Sequence, residues 1–238
     1  LINVTTFFRD PEAWDVLRTE VVPRIVEARK DRGPIRIWSI GCASGQEPYS
    51  AAMLFAEALG VENFCQSVKI YANDLDEAAL RSARFATYSA RDVESVPQDL
   101  LTKYFERTNN HYVFHRELRK CVIFGRHNIV HDAPIGHADL VLCRNLLIYL
   151  ETATQEVVLP RLHYALAEDG FLCLGKAETQ LARSRLPDGE TLDLGHPAGD
   201  LGHPPDLEHP PAVDQHQGGG HHGTVVDGVR GVLGGSAE

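Results

Sequence analysis

With 238 residues, 43% of them apolar, the chain has enough material for one sizeable globular unit around a buried core. Its formal net charge of −10, from 23 Lys and Arg against 33 Asp and Glu, excludes the basic footprint of a nucleic-acid binder. No apolar run approaches the roughly 18 residues a membrane span needs, so membrane insertion is not expected either.

The charge is uneven. From Pro187 onward nine acidic residues face one basic residue, Arg230, while residues 1–186 hold 22 basic and 24 acidic residues and are close to neutral. The five cysteines (Cys42, Cys65, Cys121, Cys143, Cys173) are scattered, with no CxxC pair, and read as reduced thiols packed as small hydrophobes. The opening LINVTTFFRDPEAW has no basic stretch followed by an apolar one, so secretion is not expected and a cytoplasmic location is. No metal site is expected.

In chain order, Asp10–Pro11–Glu12 is a good helix start, and Trp14, Leu17, Val21 and Val22 recur at helical spacing. Pro23 interrupts or kinks that helix, and a second short one runs to Gly33. IRIWSI (35–40) reads as a buried parallel strand ending at Gly41. EPYSAAMLFAEALG (47–60) reads as a helix closed by Gly60, VKIYAND (68–74) as a second strand and EAALRSARFA (77–86) as a second helix. Strand, glycine turn, helix, strand, helix predicts an α/β fold with a doubly wound sheet. YVFHRELRKCVIFGRHNIV (112–130) then reads as an antiparallel hairpin with a charged turn. ADLVLCRN (138–145) returns to a buried strand, 154–170 reads as a helix with internal Pro160 ending at Gly170, and FLCLGK (171–176) as another strand. Residues 187–238 hold 12 of the 20 Gly, 6 of the 13 Pro and 6 of the 12 His, too little apolar material to order a backbone, and are expected to be disordered.

Three constellations carry chemistry. In GCASGQEPYS (41–50), Gly41 and Gly45 let the backbone bend and approach a ligand, and the helix start that follows favours an anionic group; the spacing is not the GxGxxG of dinucleotide binders. In YANDLDE (71–77), Asp74 at the strand end can accept hydrogen bonds from two ribose hydroxyls, while Asp76 is the alternative, as a cap of the next helix. Together the two point to a nucleoside-containing cofactor. In VLCRNLLIYL (141–150), Arg144 and Asn145 stand at the mouth of a buried strand, where unpartnered polar groups are costly.

TTFFRD (5–10), IWSIGCASGQEPYSAA (37–52), ANDLD (72–76), HNI (127–129) and VLCRNLLIYL (141–150), in this order, resemble the chemotaxis receptor glutamate O-methyltransferases, the CheR type, over about residues 2–186. The resemblance implies a class I S-adenosylmethionine-dependent methyltransferase, a Rossmann-like sheet with a small antiparallel β subdomain inserted at about 87–127. It implies S-adenosylmethionine as cofactor and S-adenosylhomocysteine as product, with a chemotaxis receptor's cytoplasmic domain as protein substrate and glutamate methyl esters as the modification. By match to the family's motifs, the cofactor-binding residues are Asn3, Thr5, Arg9, Gly41, Glu47, Asp74, Asn128, Ile129, Arg144 and Asn145; Asn128 and Ile129 would flank adenine. Gln46 stands where many members have a second Glu. No catalytic acid or base is assigned, because an ionised carboxylate is already a nucleophile, and a monomer is expected.

Two departures from the family follow. Its N-terminal, partly basic helical domain is not in this sequence, and PDGETLDLGHPAGD stands where two last strands are expected, which would leave a sheet edge unpaired. The rival reading is therefore a truncated or non-catalytic module that binds the cofactor or a receptor within a larger signalling protein.

Overall fold

The computed structural model describes residues 5–30, 32–179 and 223–226. It opens with α1 (Pro11–Val16) and α2 (Val22–Arg29), joined by a π-helical stretch, Leu17–Val21. Pro23 is the second residue of α2, and the backbone stays right-handed helical through the junction, so the π stretch stands where its missing N–H interrupts the ladder. The wider π stretch inserts between the two helices and keeps Leu17, Val21, Val22 and Ile25 all buried.

The central sheet is built from β1 (Ile35–Ile40), β2 (Val68–Asp74), β6 (Val122–Arg126), β7 (Ala138–Cys143), β8 (Leu166–Leu174) and β9 (Gly223–Val226). Their spatial order is β6-β2-β1-β7-β8-β9, and every pairing is parallel. This is a doubly wound parallel sheet, with a small antiparallel sheet beside it. Both faces of such a sheet are covered, so its central strands β1 and β7 are mostly apolar. Along β1, Ile35 and Ile37 pack into one core with α3 (Gln46–Leu59), while Trp38 and Ile40 point the other way against Leu162 and Ala165 of α8 (Thr152–Ala165). Buried Asn73 of β2 ties three adjacent strands: its carboxamide oxygen accepts from Trp38 Nε1 on β1 and its nitrogen donates to the Gly125 carbonyl on β6, both at 2.8 Å.

The hairpin expected over 112–130 does not form. The small sheet is instead β3 (Thr87–Ser89), β4 (Phe105–Thr108) and β5 (His111–Phe114) in the order β3-β5-β4, with Asn109 turning the β4–β5 hairpin at φ 53°. The charged segment expected to be the turn is one helical turn, α7 (Arg116–Arg119), and VIFGR after it crosses to the main sheet beside β2. The antiparallel sheet thus spans 87–114. Alternation in the sequence shows that a segment is extended but not which strand it will join.

Three other elements depart from expectation. Between α3 and β2 lies a further helix, α4 (Val61–Ser67), and Gln98–Tyr104 forms α6 ahead of β4. The α8 helix stops at Ala165, and Gly170 lies within β8. A Cβ there would sit 2.6 Å from the Ala138 carbonyl oxygen, so this glycine permits strand contact and does not end a helix. Of the segment 187–238 expected to be disordered, residues 223–226 form β9 and pair with Gly170–Cys173; the edge expected to be unpaired is covered there. The rest of that segment lies outside the described residues, as does Asn3.

Candidate functional site

In the strand order, the chain leaves β1 towards one side of the sheet and enters β7 from the other, which opens a crevice beyond the carboxyl ends of these two strands. A solvent-open cleft lies there, its walls drawn from residues between Thr5 and Tyr149.

The glycine turn forms one wall. Gly41 (φ 69°) and Gly45 (φ 92°) have left-handed backbones, and Ala43 between them adopts the same region at φ 46°. A Cβ at Gly45 would lie 3.0 Å from the Ala83 Cβ on α5 (Glu77–Phe85), so the turn can approach α5 because this residue is glycine. Two amides of the turn, those of Gly41 and Cys42, donate to the Asn73 carbonyl, and Ala43 N donates to Asp74 Oδ2 at 2.8 Å. The other Asp74 oxygen accepts from Asp76 N at 2.9 Å. Each oxygen keeps a second lone pair for a ligand hydroxyl. Asp76 caps α5, accepting from Ala78 N and Ala79 N.

A second wall is the segment before α1. Phe8 (φ 48°) and Asp10 (φ 56°) bend it, while Phe7 is fully buried against the small sheet, with ring centroids 4.9 Å from Tyr88 and 5.5 Å from Phe105. The Ser95 hydroxyl donates to the Phe7 carbonyl, and Phe8 N donates to Ser50 Oγ on α3. This anchoring presents Thr5, Thr6 and Arg9 to the cleft.

The third wall follows β7. The Arg144 guanidinium, 6% exposed, donates to the Arg9 carbonyl (2.7 Å) and to Asp10 Oδ2 (2.8 Å), and lies 5.7 Å from the Trp14 ring centroid. It stands 3.9 Å from Glu47 Oε2, and Ser39 Oγ donates to Glu47 Oε1 at 2.8 Å. Burial raises the Glu47 carboxyl above its ordinary range, with Arg144 and the Ser39 hydroxyl opposing the shift. The buried Arg144 Nε and His127 Nδ1 have no hydrogen-bond partner among the described residues. The cleft therefore offers an incompletely neutralised carboxylate and a strand-end acid. That set fits a nucleoside bearing an amino-acid group, with Glu47 suited to an ammonium and Asp74 to vicinal hydroxyls.

Of the residues expected to hold the cofactor, Thr5, Arg9, Gly41 and Glu47 line this cleft. So do Asp74, Ile129, Arg144 and Asn145. Asn128 does not: its Oδ1 accepts from Val130 N within its own turn. Sequence reasoning did not single out Trp14, His127, Leu75, Leu146 or Tyr149, which also line the cleft. His127 and Tyr149 lay inside motifs already noted, and Trp14 had been read as a core position.

A strand order that reverses beside β1, with a glycine turn and a strand-end acid at the reversal, defines a doubly wound protein built to seat a nucleoside-containing ligand. Residues 3–186 match the family described as CheR methyltransferase, SAM binding domain, and the chain belongs to that family. An uncharacterised 104.1 kDa protein of Rhodobacter capsulatus is 35% identical over 178 residues, which are 75% of this chain and 19% of that one. Proteins called chemotaxis protein methyltransferase from Listeria innocua and Listeria monocytogenes are 34% and 33% identical over 74% of this chain. The chain spans 65% of the length of each Listeria relative.

Proposed function

We propose that this chain transfers a methyl group from S-adenosylmethionine to glutamate side-chain carboxylates on the cytoplasmic domain of a chemotaxis receptor, acting as a monomer in the cytoplasm. The functional unit is residues 1–186 with the small antiparallel sheet as its insert. The observation that carries this reading is the pairing of Glu47 and Asp74 in one cleft, on either side of the glycine turn, in a chain of the CheR family.

S-adenosylmethionine, when bound, supplies an electrophilic methyl group on a sulfonium. Asp74 would hold the ribose hydroxyls, and Glu47 the ammonium of the amino-acid group. Arg9 would organise its carboxylate, and Ile129 with His127 would border the base. An acceptor glutamate, with an ordinary pKa of about 4.3, is ionised at neutral pH and is a nucleophile without help from a base. The chain's task is to align the reactants and exclude water from the cleft.

Incubation with methyl-labelled S-adenosylmethionine and a receptor cytoplasmic fragment should label the fragment, and mild alkali should release the label as methanol. Alkali-stable label, or none from folded protein that binds the cofactor, would refute carboxyl methylation.

A further inference from the structure

We infer that Glu178, which does not itself line the cleft, is the positioning residue that shapes the wall after β7. The inference rests on the function proposed above. Glu178 is fully buried, and its carboxylate accepts four backbone N–H groups. Asn145 N and Gly175 N donate to Oε2, each at 2.7 Å, while Leu146 N (2.6 Å) and Leu147 N (2.7 Å) donate to Oε1. A buried carboxylate survives when its lone pairs are filled in this way. Three of the four donors are successive amides of the loop that leaves β7, where Asn145 holds a left-handed φ of 57°. The carboxylate thus gathers the loop around one point, and the side chains it aims outward, those of Asn145, Leu146 and Tyr149, line the cleft. Leu146 also packs over the glycine turn: a Cβ at Gly41 would lie 3.3 Å from its Cδ1.

Gly175 makes the arrangement possible. A Cβ there would be 2.5 Å from Glu178 Oε2 and 3.2 Å from Asn145 N, so one methyl group would push the carboxylate off the loop. The charge of Glu178 also reaches the cleft, adding to the burial that raises Glu47.

The test uses the full chain and two variants. Glu178→Gln turns an NH2 group towards backbone donors, and Gly175→Ala displaces the carboxylate without changing any charge. In ligand-free protein below each variant's melting temperature, amide exchange at 145–147 should accelerate at least tenfold in both, with β1 and β2 amides still protected. Affinity for S-adenosylhomocysteine, by calorimetry, should fall at least tenfold, with the KM for S-adenosylmethionine rising alongside. Should Glu178→Gln fail to fold, Gly175→Ala decides. Unchanged affinity, or exchange that rises through the whole sheet together with the loop, overturns the inference. If the parent chain itself fails to bind S-adenosylhomocysteine, the proposed function falls, while the ligand-free exchange pattern still tests what Glu178 does.

Discussion

Burial pushes the Glu47 carboxyl upward, and the Arg144 guanidinium at 3.9 Å does not cancel that effect. Between the ordinary carboxylate value and the raised one, the folded chain holds more protons than the unfolded chain. Stability therefore falls as pH climbs through that window and is fully present below it. A neutral isostere should relieve this cost and lose the ligand ammonium. Glu47→Gln is expected to melt at or above the parent at pH 8, with the difference vanishing as pH drops below about 4. Its affinity for S-adenosylhomocysteine should fall about 10- to 100-fold, the effect of one charge-assisted hydrogen bond of about 1.5–3 kcal/mol. Melting curves across pH and calorimetry at pH 8 check both halves. Glu47 was legible in the sequence only through the resemblance of its glycine-turn motif to the CheR family's. Glu178 was not, because a lone glutamate in AETQ carries no local sign that four distant amides will converge on it.

Among the elements, the segment carrying Phe7 shows how a short stretch can be rigid without regular structure. It is held by the Phe7 ring between Tyr88 and Phe105, by hydrogen bonds through Ser95 and Ser50, and by Arg144 on the Arg9 carbonyl and Asp10. Phe7→Ala should cost about 3 kcal/mol or more of local stability. That loss should appear as faster exchange at residues 6–10 and weaker S-adenosylhomocysteine binding, with β1 and β7 keeping their protection. Loss of protection across the whole sheet would instead make Phe7 a general core residue. The strands β1, β2 and β7 could be read from the sequence because each is an apolar run ending at a glycine, an acid or an arginine. The partner of VIFGR could not, since parallel pairing with β2 depends on a crossover that no local pattern records. The end of α8 was misplaced for a related reason: Gly170 resembles a helix stop until the Ala138 carbonyl is found against it.

Across the whole molecule, the sheet divides two apolar cores, and Asp139 on β7 links it to α2 through Arg29 while accepting the Arg36 amide at 2.8 Å. At the far side, β9 covers the outer edge of β8 over Gly170–Cys173. A chain ending at Leu186 would leave that edge open, a template for pairing with another copy. Such a truncation should associate in a concentration-dependent way by light scattering while keeping its affinity for S-adenosylhomocysteine, because the described residues that line the cleft all lie between Thr5 and Tyr149. A truncated chain that stays dispersed would show that β9 does not protect the edge.

The two tryptophans of this sequence lie in very different surroundings. Trp14 borders the cleft, its indole N–H on the Arg9 carbonyl and its face beneath Arg144, whereas Trp38 is sealed in the opposite core with its N–H on Asn73. The protein consequently carries its own optical probes: Trp14 emission should change when the cleft is filled, and Trp38, whose ring lies 5.6 Å from that of His127, should respond to what touches that histidine.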